Sequence, residues 1–220
     1  MVWYKPANAD WTDPLYYDVV TEDVWLTRQN AGPLYNYKWY LNNLGRDATF
    51  NELYNDYWYE APGAQGGTRE VLWAILDDGG FSVEQQAYFP DSLVGTMGDP
   101  ANFFNLKAMT GIVSIVLGEF GVPVSFTGTF FYDPLTYGYW TFDNGGTSSL
   151  ANPPDLVGKN LAMYIPETGL YCKVVFIHWG QGGSGGEAGY ERSGCISTPP
   201  VPTPAPTPVS TIACELTFHL

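Results

Sequence analysis

Residues 170–192 constrain the fold more than any other part of the chain. They begin as a strand in which both alternating sides carry apolar residues, so we expect both faces of this strand to be covered. The two sides are Tyr171, Lys173, Val175, Ile177 and Trp179, and then Cys172, Val174, Phe176 and His178. Five glycines within seven positions follow, and side chains resume at Glu187, which predicts a hairpin with a wide glycine-rich tip.

The glycine-rich loop has two interpretations. A loop of this kind after a strand can cradle a phosphate, but no Gly-Lys-Ser or Gly-Lys-Thr follows it and no apolar helical pattern begins behind it. We therefore disfavour nucleotide binding and predict a tip that packs against a neighbour or flexes. The tip residues are Gly182, Gly183, Gly185 and Gly186.

The last third of the chain predicts a three-stranded antiparallel meander. Residues 160–165 alternate as a strand, and residues 166–169 (Pro-Glu-Thr-Gly) are a turn with proline second and glycine last. This turn joins the strand to the one that enters the glycine-rich loop. The loop then leads to the returning strand.

Earlier segments predict further strands at residues 18–28, 34–41, 70–76, 122–132 and 137–142. Residues 48–59 fit either a short helical turn or an irregular aromatic segment. Asp99 and Pro100 predict the start of a short helix over residues 101–109, followed by a strand over 111–118. A single helix through Leu117 is the competing interpretation.

These elements predict a mainly β chain, an antiparallel β-sandwich of jelly-roll type. We divide it into an N-terminal arm (1–17), the sandwich domain (18–196), a proline- and threonine-rich spacer (197–209) and a C-terminal strand (210–220). Residues 81–139 are a candidate insertion. The spacer predicts polyproline II, and the lone strand behind it must pair with its own sheet or with a neighbour's.

The charge balance excludes some partners. The chain has 220 residues and a formal net charge of −14, with nine scattered lysines and arginines. Because phosphate contacts need those residues, we expect no nucleic-acid binding, and the acidity also disfavours anionic membranes. No apolar segment is long enough to span a bilayer, and no signal-peptide core is visible. We expect a chain that is made in a cytoplasm and is not exported by a cleavable signal of its own.

Aromatic residues make up 16% of the chain and charged residues 15%. Tyrosine and tryptophan pair an apolar face with a polar group, which suits β cores, protein interfaces and sugar contacts. The simplest interpretation is that most of them fill the core. The candidates for ligand contact are Trp58, Trp140 and Trp179.

The chain offers little catalytic or metal-binding chemistry. Its two histidines, His178 and His219, lack the spacing of zinc ligands, and no G-x-S-x-G elbow is present. A carboxylate pair of the glycosidase type stays open because acidic residues are many, although any acidic surface has them. The turns at 77–80 and 143–146 could offer oxygen ligands to calcium but are more simply tight turns. We predict no enzyme activity, no cofactor and no metal.

Three cysteines leave at least one unpaired within the chain. Cys172 and Cys195 lie on the two arms of the predicted hairpin and could approach each other, whereas Cys214 lies near the end. Free buried thiols are the alternative. The count by itself fixes no redox compartment.

Three segments resemble a family of poorly characterised β-rich domains. Residues 22–36 (E-D-V-W-L-T-R-Q-N-A-G-P-L-Y-N) are similar to its opening and residues 156–192 to its close, which runs as a strand, F-x-x-W, a glycine-rich loop and Tyr-x-Arg. Residues 67–80 resemble its middle, where Gly-Thr precedes a Trp-containing strand. Such domains look like parts of extracellular bacterial proteins and of virion proteins of tailed phages, cyanophages among them. The resemblance covers about a third of the chain, and Glu187 and Ala188 replace a more usual glycine and aromatic.

The resemblance implies a structural protein of a bacteriophage particle, either a capsid decoration protein or a tail or fibre component. It offers no catalytic residues. We expect a virion location, other virion proteins as partners and a homo-oligomer that assembles through its arms. The assembly candidates are Trp3, Tyr4, Trp11, Ile212, Leu216 and Phe218. The alternative is a carbohydrate- or receptor-binding module on a virion or cell surface.

Overall fold

A computed structural model describes residues 1–58, 67–77, 79–83, 93–117, 131–132, 140–141, 147–148 and 152–197. Within these ranges, strands outnumber helices and form one six-stranded and two three-stranded sheets, which confirms a mainly β chain. None of the helices in them is both long and apolar enough to cross a membrane. Predicted features that fall on other residues, including the spacer and the C-terminal strand, lie outside the described part.

In chain order, the elements are β1 (Val2–Lys5), β2 (Asp18–Val19), β3 (Trp25–Arg28), β4 (Leu34–Asn36), α1 (Tyr37–Leu44), α2 (Phe50–Trp58), β5 (Leu72–Leu76), β6 (Val94–Gly95), α3 (Leu106–Leu117), β7 (Phe131–Tyr132), β8 (Trp140–Thr141), β9 (Thr147–Ser148), β10 (Leu161–Ile165), β11 (Leu170–Trp179) and β12 (Ala188–Ser197). Short 3-10 helices lie at Pro14–Tyr16 and Pro153–Leu156. The large sheet has the strand order β1, β12, β11, β10, β5, β6, and only its β5–β6 pair is parallel.

The predicted meander is confirmed. β10 pairs with β11 from Leu161 opposite Val174 to Ile165 opposite Leu170, and β11 pairs with β12. The turn between the first two strands contains Gly169, whose φ of 63° suits glycine. Local turn chemistry and alternation therefore predicted this part of the sheet correctly.

β11 departs from strict alternation near the glycine-rich loop. A register shift against β12 lies between Phe176 and His178. As a result Phe176 and Trp179 both reach the core, with ring centroids 5.4 Å apart. The expectation that both faces of the strand are covered is correct at Tyr171, which is buried, but wrong at Ile177, which is 45% exposed.

The N-terminal third contains a helix where the sequence predicted a strand. Residues 34–41 divide into β4 and the start of α1, because the side chain of Asn36 accepts a hydrogen bond from Trp39 N–H at 3.4 Å and begins the helix. Gly45, with a φ of 67°, ends it. Residues 18–28 likewise contain two short strands with a turn between them, and residues 29–33 join β3 to β4.

α3 is one helix that ends at Leu117, so the competing interpretation is correct for residues 106–117 and the predicted strand is wrong. The predicted start at residue 101 is also wrong, because the helix begins at Leu106. The side chain of Asn105 accepts from Ala108 N–H at 2.8 Å at its start, while Asp99 accepts from Ala101 N–H in an earlier turn. Buried residues such as Met109 and Val113 pack this helix into the main core. The apolar, β-branched run fits that environment as well as it fits a strand.

The core lies mainly on one face of the large sheet. Trp73, Phe176 and Tyr190 are fully buried there, together with residues of α3 and β3. A smaller cluster on the other face contains Phe103 and Tyr171. The rest of that second face, toward β1, carries exposed side chains.

β1 belongs to the large sheet, so the N-terminal residues do not form a free arm. It pairs with β12 from Val2 opposite Glu191 to Lys5 opposite Ala188. The indole of Trp3 is 3% exposed, with its ring 4.9 Å from that of Tyr190. Trp3 therefore lies in the core of its own chain and cannot supply the contact with a neighbour that the sequence suggested.

Candidate functional site

The glycine-rich loop is held by hydrogen bonds from its own chain. Gly180 N–H donates to Glu187 O at 2.9 Å and closes the loop across its base. Asn8 N–H, from the segment after β1, donates to Gly185 O at 2.8 Å. The loop thus connects the β11–β12 hairpin to the N-terminal segment.

The two halves of the loop have different surroundings. Gly182 and Gly183 are exposed, and a methyl group on either would meet no atom within 4 Å. Gly185 and Gly186 are buried, and a methyl group on Gly186 would lie 2.5 Å from Gln29 O. The second half of the tip therefore packs against its own chain rather than against a separate molecule.

Two buried cations hold this second half. Lys5 is 0% exposed and its Nζ donates to Gly186 O at 3.3 Å. Arg28 is 2% exposed, and it donates from Nη1 to Glu187 O at 2.7 Å and from Nε to Gly32 O at 2.8 Å. Charged donors therefore satisfy carbonyl oxygens that water does not reach.

Burial lowers the pKa of both cations. Desolvation brings the pKa of Arg28 to about 10. The pKa of Lys5 is lowered by desolvation and then by the nearby charge of Arg28. No ion pair joins either cation to a carboxylate within the described residues. The loop base is thus a positive centre in an acidic chain.

A cleft of about 450 Å³ opens beside the loop. Its walls come from β3 and the turn after it, from α2, from the start of the Pro153–Leu156 helix and from the first residues of the loop. The lining residues with aromatic or polar side chains are Arg28, Tyr54, Tyr57, Asn152, Trp179 and Gln181. Alanine, glycine and proline form the rest of the described lining, and it contains no Asp or Glu.

Trp179 is the only sequence-predicted ligand aromatic whose side chain is described, and it lines this cleft. Its ring is 7% exposed and lies 4.4 Å below the Arg28 guanidinium. Tyr54 is the accessible aromatic at 38% exposure, whereas Tyr57 is buried and its pKa is raised by desolvation. The described cleft lining therefore combines a partly exposed tyrosine ring with two buried aromatic side chains.

The other two ligand candidates are not described at the side-chain level. Trp58 is the last residue of α2, and Trp140 lies in β8. Their side chains lie outside the described part of the structure. The prediction that they contact a ligand stays a prediction.

A second polar group lies on the exposed side of the hairpin. The Tyr4 hydroxyl donates to the Glu187 carboxylate, and Nε2 of His178 lies 3.0 Å from the other oxygen of that carboxylate. The hydrogen bond from Tyr4 and the proximity of His178 lower the pKa of Glu187, and the same carboxylate raises the pKa of Tyr4. These side chains connect β1, β11 and the end of the loop.

The remaining assembly candidates have mixed outcomes. Tyr4 is 45% exposed, so its ring is accessible. Trp11 is half-buried and its Nε1–H donates to Asp47 at 2.9 Å within the same chain. Ile212, Leu216 and Phe218 lie outside the described residues, and their role in assembly stays a prediction.

The structure pairs two cysteines that the sequence left open. Cys172 and Cys195 form a disulfide between β11 and β12. Cys172 is buried and Cys195 is exposed. The alternative of free thiols is therefore wrong for these two, and Cys214 lies outside the described part.

A buried carboxylate, Asp155, lies behind the cleft wall. No group of three or more His, Cys, Asp or Glu side chains suited to a metal occurs among the described residues. Behind the cleft wall, the Ser114 hydroxyl donates to Asp155, which also accepts from the Asn152 side chain at 2.8 Å. These bonds join α3 to the Pro153–Leu156 helix. The turn at 143–146 lies outside the described residues.

Comparisons with known proteins returned no matching family model, no matching curated protein and no matching solved structure. The resemblance of residues 22–36, 67–80 and 156–192 to a β-rich family therefore stays a prediction. The site has to be interpreted from its own geometry.

Sequence reasoning missed most of the cleft. Arg28 and Glu187 are 159 positions apart along the chain, and no local spacing joins them. One available signal was the rarity of cations: Lys5 and Arg28 each stand in an apolar, alternating segment. A lysine or arginine in a buried strand of an acidic chain predicts a specific acceptor.

Proposed function

We propose that this chain is a structural protein of a bacteriophage particle that assembles through an open sheet edge and its C-terminal tail. The location is the virion, and the partners are other virion proteins and further copies of the chain. The observation that carries the proposal is the outer edge of β1, with which no strand in the described part of the chain pairs. The sequence resemblance supplies the phage context.

β1 is the end strand of the large sheet, and no described strand pairs with its outer edge. Unpaired backbone groups at such an edge can accept an added strand. Two side chains of this edge strand are apolar or aromatic and exposed: Val2 is 60% exposed and Tyr4 45%. Apolar side chains of a strand that paired with β1 would pack beside them.

The tail has the pattern of such a strand. Its last residues alternate, with Ile212, Leu216 and Phe218 on the apolar side. The spacer at 197–209 spans roughly 40 Å as polyproline II, whereas a four-residue strand spans roughly 13 Å. This length lets the tail of one copy reach the β1 edge of another.

The disulfide supports an exposed location. Disulfides persist in oxidising surroundings, which include virion and cell surfaces, and are rare in reducing cytosol. The Cys172–Cys195 bond would then form after the chain leaves its site of synthesis. The finer proposal for the fold is an antiparallel, jelly-roll-like β-sandwich.

The test compares the full chain with a chain that ends at Ser197, by light scattering during gel filtration. The full chain should be oligomeric and the shortened chain monomeric. Tyr4→Lys should also give monomers, because its charge enters the proposed contact, whereas Ile196→Lys, at 44% exposure on another strand, should not. A monomeric full chain, or its absence from purified particles by mass spectrometry, would contradict the proposal.

The cleft favours a second candidate, a carbohydrate- or receptor-binding module. A concave site with a few polar groups and an open aromatic face suits a saccharide. The six tryptophans with described side chains are all buried or half-buried, so Tyr54 takes the place of an exposed tryptophan. Glycan-array binding that Tyr54→Ala abolishes would support this candidate. Unchanged binding in that variant would remove it.

A further inference from the structure

The cleft has the opposite charge to the chain as a whole. The chain carries a net charge of −14, yet Arg28 is the only charged side chain among the described residues that line the cleft. A guanidinium has five N–H groups, and two of those on Arg28 donate to described acceptors, Gly32 O and Glu187 O. A ligand carboxylate in the cleft would provide a counter-charge to the Arg28 guanidinium. The attraction between the two would be stronger there than in bulk water.

The rest of the lining suits a ring with hydroxyl groups. The exposed face of Tyr54 can stack on the apolar face of a pyranose. The amides of Asn152 and Gln181 both donate and accept hydrogen bonds, as sugar hydroxyls require. These groups and Arg28 lie around one cleft, so a single ligand could contact all of them.

The volume of the cleft and the net negative charge of the chain both favour a small ligand. A volume of about 450 Å³ lies toward the lower end of the range for small-ligand sites. The acidity of the chain repels polyanions at long range. Both features favour one sugar unit with a single negative charge.

We infer that the cleft binds a saccharide unit that carries one carboxylate, of the hexuronate class. This inference rests on the second candidate function, carbohydrate binding, and adds the chemical class of the ligand. Arg28 receives the carboxylate, Tyr54 stacks on the ring, and Gln181 and Asn152 bond its hydroxyls. The exposed first half of the glycine-rich loop forms the rim beside Gln181.

The first test changes the ligand and leaves the fold untouched. Methyl β-D-glucuronide, methyl β-D-glucoside and acetate are titrated into the full-length protein, and the Gly182 amide and Trp179 indole are followed by NMR. The glucuronide should shift both signals and bind at least about tenfold more tightly than the glucoside, the effect of one charge-assisted hydrogen bond. Acetate should bind more weakly than either sugar, because it lacks the ring.

The second test changes the cleft at two exposed positions. Tyr54→Ala and Gln181→Ala should each weaken glucuronide binding about tenfold. The matched control is Ser184→Ala, in the same loop but outside the lining. Equal affinity for glucuronide and glucoside would overturn the carboxylate assignment while carbohydrate binding stands. Absence of any sugar binding, acetate binding as tight as that of glucuronide, or equal losses in the Ser184→Ala control would overturn both.

Discussion

The two halves of the glycine-rich loop use the same residue type for different purposes. Gly182 and Gly183 face open space, whereas Gly185 is packed against Asn8 and Gly186 against the backbone of Gln29 and Asn30. In the first half, glycine keeps side chains away from the rim of the cleft. In the second, it lets the loop approach the N-terminal segment closely enough for Lys5 and Arg28 to bind its carbonyl oxygens.

This difference shows that a glycine run does not by itself indicate mobility. The buried second half is in contact with charged partners that lie at the opposite end of the sequence. The half with Gly185 and Gly186 is thus packed into the fold, and the half with Gly182 and Gly183 is exposed to solvent. The predictions below test this division, beginning with the largest expected effect.

Gly186→Ala should destabilise the protein far more than Gly183→Ala. A methyl group at Gly186 meets Gln29 O at 2.5 Å and Asn30 Cα at 2.8 Å, and its φ of 70° is unfavourable for alanine. Overpacking and left-handed strain together should lower the unfolding free energy by about 4 kcal/mol. Gly183→Ala should change it by less than about 0.5 kcal/mol. Urea denaturation measures both, and similar values would contradict the division of the loop.

Arg28→Met should have the next largest effect, a loss of about 3 kcal/mol in the unfolding free energy. The change removes two short bonds to carbonyl oxygens and the stacking on Trp179, and it leaves Glu187 O and Gly32 O without those donors. Arg28→Lys is the control for charge alone and should recover only part of the loss, since lysine lacks the planar fork. Full stability in Arg28→Met would show that the loop does not depend on this cation.

The sequence predicted those parts of the fold that depend on interactions between residues a few positions apart. The hairpin and the meander were correct because alternation and a Pro-x-x-Gly turn act within a few residues. The helix over Tyr37–Leu44 was missed because its aromatic spacing fits both periods, and the Asn36 cap decided between them. The shift at Phe176 that turns Trp179 into the core depends on pairing with β12, which local sequence does not specify.

The cleft was unpredictable for the same reason. Its lining joins β3, α2, residues near 152–154 and the loop, and only the packed fold brings them together. The sequence did indicate Trp179, as an aromatic beside the glycines. No local pattern places Arg28 over that ring. The sequence also suggested that Trp3 and Trp11 contact a neighbouring chain, whereas Trp3 is buried in its own core and Trp11 donates to Asp47 of its own chain.

Lys5→Met should change stability by less than about 1 kcal/mol at neutral pH. The hydrogen bonds from Lys5 Nζ to carbonyl oxygens are long, at 3.3–3.5 Å. In the variant, Gly185 O still accepts from Asn8 N–H. The substitution also removes a desolvated charge, which offsets the loss of these bonds. The pKa of Lys5 is lowered, so the unfolded chain binds more protons than the folded one between the folded pKa and 10.5. The wild type should therefore gain stability relative to Lys5→Met as the pH rises toward 10.5. A relative loss in that interval would contradict the desolvated placement of Lys5.

The smallest expected effect lies at the contact between Tyr4 and Glu187. The pKa of this carboxyl is lowered, first by the Tyr4 hydroxyl, so its contribution is complete above the ordinary value of 4.5 and is lost as the pH falls through the folded pKa. Hydrogen exchange at Gly185 and Gly186 should accelerate in that acidic interval, beyond the normal pH dependence of exchange. Tyr4→Phe should remove most of this acid response, whereas Ser184→Ala should retain it. If both variants retained it, the buried cations and not the exposed carboxylate would control the packed half of the loop.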